Sequence, residues 1–203
     1  IALTYVSIQD SAASGGATFG ATWSQSVSGN SGWTITGIWK VLPGGGAWTS
    51  AGTWDAGIAP LAYSDVICDA TSGNLTGGTA ICRSADFTGF TGSYSMSAGN
   101  MTIGTTTAAP SGIALKFSSA MTFSNSYTIN FASTAAGVQT ITTAGKSMGT
   151  VVFQGVGSSY QLQDAYTGTN LTVTNGTLDT NNQTLALTAL VISGTATRAV
   201  TLG

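Results

Sequence analysis

The stretch "NLTVTNGTLDTNNQTLAL", residues 170–187, places Leu171, Leu178 and Leu185 seven residues apart. A seven-residue apolar repeat is the spacing of a coiled coil. The residues between the leucines rule that out. They are mostly Thr, Asn and Gly, with no Lys or Glu. The pairs Asn175-Gly176 and Asn181-Asn182 are turn formers that break a helix. Each leucine therefore belongs to its own short strand: "LTVT", "TLDT" or "TLAL". Seven residues then make one strand and one turn, and three such units make a coil of roughly 21 residues, within the range of repeat architectures. The leucines point into a narrow core, the Thr and Asn face solvent, and no room is left for a catalytic cleft inside the coil.

The whole chain shares this chemistry. Of 203 residues only 6% are charged, against about a quarter in ordinary soluble domains. All seven acidic residues are Asp, and there is no Glu or His. Thr occurs 34 times and favours strands, whereas the charged helix formers are nearly absent. The 28 Gly supply turns. The expected class is all-β, a parallel β-solenoid of stacked coils with Val, Ile, Leu, Phe and Ala inward. A net charge of -2 gives no electrostatic case for nucleic acid or an anionic membrane. No run approaches the roughly 18 to 20 apolar residues of a membrane helix.

Three segments are expected. Residues 1–37 read as the end of a preceding β-solenoid or β domain. Within them "LTYVSIQD" alternates as one strand, with Leu3 and Tyr5 inward and Val6 or Ile8 beside them. Residues 38–64 hold Pro43, Pro60, Gly44, Gly45 and Gly46, and read as a boundary that caps the next unit. Its Trp39, Trp48 and Trp54 are capping aromatics, with a sugar-stacking platform as the sharper alternative. Residues 65–203 read as the main β-solenoid, continuing past the last residue. Intervals of 30 and 36 residues from Phe87 to Phe117 to Phe153, and of 26 from Asn74 to Asn100, lie in the range of one coil. Asn at equivalent turns is expected to form ladders.

"GGGAWTSAGTWDAG" at 44–57, "YSDVICDATSGN" at 63–74, "CRSADFTGFTG" at 82–92, "TNGTLDTNNQTL" at 174–185 and "ATRAVTLG" at 196–203 follow one another along the chain. This series resembles repetitive β-solenoid proteins of phage virions, tail-fibre or spike-like, and of large bacterial surface proteins. Trp48 and Trp54 match a Trp- and Gly-rich entry motif, Asp65 to Ala70 the strand that follows, and Arg83 to Gly92 the third. The entry motif lacks its usual leading aromatic pair. Residues 6–33 resemble the closing coils of a preceding solenoid in the same proteins. These motifs are structural punctuation, not catalytic signatures.

The catalytic inventory is poor. Without His, a Ser or Cys nucleophile has no imidazole base. "GKS" at 145–147 lacks the glycine of a phosphate loop. Asp65 and Asp69 on one straight strand would stand about 13 Å apart, too far for a retaining glycosidase pair. Asp55, Asp65 and Asp69 fit no known calcium-loop spacing. Asp179 is explained by turn chemistry. Cys68 and Cys82 read as two buried thiols on neighbouring strands, with a disulfide as the alternative; a zinc site lacks ligands. Sequons stand at Asn74, Asn100, Asn170, Asn175 and Asn182.

The expected role is a non-enzymatic structural module with no cofactor, an exposed part of a virion that presents a receptor- or glycan-binding surface. The expected partners are other virion or surface subunits, further copies of the chain, and a cell-surface glycan. The alternative is an extracellular bacterial adhesin or filament subunit, and below that a β-helix carbohydrate-active enzyme. A Thr-rich ice-binding face is a further option, but the Thr form no regular ladder.

Overall fold

A computed structural model describes all residues, 1–203. The protein is all-β: it has no α-helix, one 3-10 turn at Ala51–Thr53, and parallel pairing between all its neighbouring strands. From Ile38 onward the strands form three sheets. The long sheet has eight strands, from Ile38–Lys40 through Asp65–Ile67, Ser84–Asp86, Ile113–Lys116, Val138–Thr142, Ser159–Leu162 and Gly176–Asp179 to Arg198–Thr201. A second sheet has six, from Ala80–Cys82 to Leu185–Ile192. A short sheet has four: Gly46–Ala47, Leu75–Thr76, Ser93–Met96 and Thr122–Asn125. The chain visits the sheets in turn and returns to the long sheet one strand further on. Stacked parallel sheets of this kind are compatible with a parallel β-helix.

The register explains the composition. Val66, Ala85, Leu115, Ile141 and Leu162 pair strand to strand in one row, all buried. Their neighbours Asp65, Ile67, Asp86, Lys116 and Thr142 alternate outward, as the two-residue period of a strand requires. Like residues stack on like. Phe131 lies on Phe153 with ring centroids 4.9 Å apart and planes at 10°, and Phe87 meets Phe117 edge-on at 5.3 Å. The corners are bonded between coils as well: Cys68 donates its N–H to Asp86 O, Phe87 to Lys116 O, and Phe117 to Thr142 O.

Coil length varies. Along the long sheet the register advances 19 residues from Val66 to Ala85, 30 to Leu115, 26 to Ile141, 21 to Leu162, and 22 from Leu178 to Val200. The longest step holds the loop 104–112. The expected coil of about 21 residues is approached at the later end, with steps of 21, 18 and 22, while two of the earlier coils are lengthened to 30 and 26. The Phe interval of 36 is not a coil: Phe117 is followed one coil on by Thr143, while Phe153 stacks on Phe131 in another sheet. Asn74 and Asn100 likewise precede strands of different sheets. Asn side chains bond to backbone one coil away instead of to each other. Asn125 Nδ2 donates to Met148 O at 2.7 Å, and Asn181 Nδ2 to Leu162 O at 3.1 Å.

In residues 170–187, Leu171 and Leu178 are buried on different sheets, and Leu185 stacks on Tyr166. The three leucines occupy two sheets, not three. By this point the short sheet has ended, and eight-residue strands, Tyr166–Val173 and Leu185–Ile192, turn the coil instead. The turn formers behave as expected: Gly176, Asn181 and Asn182 have φ of 73°, 53° and 59°.

Residues 1–37 form two small parallel sheets that share no strand with those that follow. The single strand expected over residues 3–10 is two, Ala2–Thr4 and Ser7–Gln9, split at Tyr5 with φ 56°. That left-handed residue makes a corner, so Tyr5 is 44% exposed, while Ile8 is buried; Leu3 stacks on buried Ala21 and is 36% exposed on its end strand. Trp23, one coil on, is left-handed too, and its ring stacks on Tyr5 at 5.6 Å. Residues 38–64, expected as a cap, also supply strands: Ile38–Lys40 and Gly46–Ala47 are end strands of the long and short sheets.

Candidate functional site

Trp39, Trp48 and Trp54 are buried, at most 1% exposed. Trp39 points inward from its strand and meets Tyr63 edge-on at 5.8 Å. Trp48 lies against Trp54 at 5.0 Å and Tyr94 at 5.8 Å. Trp54 Nε1 donates to Trp48 O at 2.8 Å. These rings cap the core from within. A sugar-stacking platform needs an exposed ring face, and none of the three has one, so that alternative is corrected.

The aspartates are bonded within the fold. Asp69 pairs with Lys40 at 2.7 Å and accepts from the N–H and hydroxyl of Thr71. Those bonds, Lys40's first, hold its carboxyl well below the usual carboxylate range. Asp55 accepts the N–H of Lys40 at 2.9 Å. Asp164 caps the N–H groups of Thr143 and Ala144 one coil below. Asp179 accepts from Gln161 and from the N–H of Asn181, which lower its pKa. Asp55, Asp65 and Asp69 do not converge as a metal-binding group.

Cys68 and Cys82 are free and fully buried. Burial pushes both thiols up, with the charges of Asp69 and Asp86 adding at Cys68 and that of Asp65 at Cys82. A thiolate nucleophile is therefore disfavoured at either position. Among the sequons, Asn74 Oδ1 accepts Ser93 N–H, Asn100 Oδ1 accepts Thr128 N–H, and Asn175 Nδ2 donates to Gln154 O, each a bond to a neighbouring coil.

The polar site lies on the outer face of the long sheet. Six of the twelve charged side chains gather there and just beyond it: Lys40, Asp65, Asp69, Arg83, Asp86 and Lys116. They rim or adjoin a cleft of about 340 Å³ between the link 35–38 on one side and Pro110 and Ser111 on the other. On its floor Arg83 Nε donates to Asp65 Oδ1 at 2.8 Å, Nη2 donates to Oδ2, and Ser84 Oγ donates to Oδ1 at 2.7 Å. The pair is mostly buried, its side chains 12% and 17% exposed. Asp86 accepts Thr88 N–H and Oγ1–H on Oδ1 alone.

Sequence reading picks out Asp65 and Arg83 singly and passes over Ser84 and Asp86. Their only trace in the sequence is spacing, since Asp65 and Arg83 stand 18 apart, about one coil. The loop 104–112 that walls the cleft carries no such trace. A second concavity, at the last coil, is lined by Leu185, Leu187, Leu190 and Leu202 among polar residues.

Comparison with protein-family models, with curated proteins and with solved structures finds no match.

Proposed function

We propose that the chain is a β-solenoid module with a structural, non-enzymatic role: an exposed part of a virion, such as a tail fibre or spike. The observation that carries this reading is how the reactive side chains are spent. Asp65, Asp69, Asp164 and Asp179 bond across coils, Asp55 and Asp86 bond the backbone of their own coil, and both thiols are buried. Groups committed to stacking are poor candidates for proton transfer or nucleophilic attack.

The chemistry suits such a role. Parallel coils satisfy backbone groups along the stack, so the fold gains length without a larger core. Uncharged hydroxyls and amides cover the surface, leaving little for ionic strength to weaken. The resemblance of the motifs at 44–57, 63–74 and 82–92 to phage and bacterial surface solenoids points the same way. Under this reading the segment limit at 37, where the sheets change, marks the passage from one solenoid to the next, and further copies of the chain are the expected partners.

Immunogold electron microscopy and quantitative mass spectrometry of purified particles test it. A regular copy number per particle is the expected result. Label on the bacterial surface and none on particles would overturn it in favour of an adhesin or filament subunit.

A further inference from the structure

The cleft over Asp65, Arg83, Ser84 and Asp86 has bonding capacity that the fold does not use. Arg83 commits Nε and Nη2 to Asp65 and leaves Nη1 without a protein partner. Asp86 commits Oδ1 to Thr88 and leaves Oδ2 without one. A charged donor and a charged acceptor thus line one concavity, three residues apart along the same segment, Arg83 just before the strand Ser84–Asp86 and Asp86 at its end. Thr36 and Ser111 bring hydroxyls from its two walls, and Ile38 and Ile67 supply apolar floor.

The charge balance limits what fits. Arg83 and Asp65 neutralise each other, and Lys116 stands opposite Asp86 in the register. A strongly charged ligand finds no net countercharge here. A ligand whose every polar group both donates and accepts finds a partner at each step. The volume, about 340 Å³, is at the small end for ligand pockets. The cleft is also pre-formed, since Ser84 holds Asp65 and Asp65 in turn holds Arg83 before anything binds.

We propose that this cleft binds a neutral saccharide, about one or two rings long, with hydroxyls donating to Asp86 Oδ2 and accepting from Arg83 Nη1. The proposal deepens the reading of the chain as an exposed module and rests on it only for access to such a ligand. Binding and location are measured separately, so either can fail alone.

Saturation-transfer and amide-shift NMR on the intact chain test the cleft. The probes are neutral di- and trisaccharides of glucose, galactose, rhamnose and N-acetylglucosamine, an anionic sialyl-lactose, and an uncharged tetrapeptide, each at millimolar concentration. The expected result is binding of at least one neutral sugar, with shifts centred on Thr36, Ser84, Asp86 and Ser111. Asp86→Asn should weaken that binding about tenfold or more, because a charge-assisted bond is lost, at an unchanged melting temperature. Should Asp86→Asn fail to fold, Ser111→Trp, which fills the cleft from an exposed loop, should abolish binding. The proposal is overturned if no neutral sugar binds, if the shifts lie elsewhere, or if only the anionic sugar or the peptide binds.

Discussion

Gly176 shows what one position is asked to do. Its φ is 73°, and a Cβ there would stand 2.6 Å from Ser158 Oγ and 2.7 Å from Gly155 O in the coil below. Gly176→Ala adds backbone strain and a contact that only backbone movement relieves. It should cost about 1–3 kcal/mol in denaturant unfolding; a neutral result would mean that the two coils are not stacked in this register. Cys68 and Cys82 make a second claim at this scale. Buried, with both thiols pushed up, they should resist a thiol reagent in the native protein and react fully after denaturation. Rapid labelling of either in the folded chain would contradict their placement. The sequence left disulfide and free thiols open, because spacing alone does not give the direction of two Cβ vectors.

Strands and corners were legible to different degrees. Alternation identified the inward residues of "LTVT" and "TLDT", since a strand's two-residue period is local. It failed at "LTYVSIQD", where Tyr5 turns a corner that Gly or Asn would have announced. The Phe and Asn intervals misled for another reason: they paired residues from different sheets, and coil length varies from 18 to 30 residues. The burial of Trp39 and Trp48 was not legible, because it depends on packing against Tyr63 and Tyr94 from other coils. The cleft was not legible, because it joins residues a coil apart with a loop that has no pattern. Asn125 tests the side-chain links between coils. It accepts Tyr127 N–H and donates to Met148 O one coil on. Asn125→Ala leaves that carbonyl without its partner and should cost about 1–3 kcal/mol, read as a lower denaturant midpoint at an unchanged slope.

The whole molecule has little that titrates near neutrality. It contains no His or Glu, and burial pushes its Cys thiols up. Asp69 and Asp179 are lowered from an ordinary value of 3.8. Their contribution to stability is complete above that value and is lost as pH falls through it toward the folded-state values. Melting temperature should therefore be flat from about pH 5 to 7, within about 2 °C, and fall below about pH 4. A steep change near pH 6 would contradict the account. The stack itself is open to a direct measurement. Ile38 and Ala199 are exposed on the two end strands of the eight-stranded sheet. Seven strand spacings separate them, about 34 Å. Spin labels on Ile38→Cys and Ala199→Cys attach selectively, because the native thiols are buried. Double electron–electron resonance should give one narrow distance near that value. A distance below about 20 Å, or one as broad as an unordered chain gives, would contradict the stacked parallel sheet.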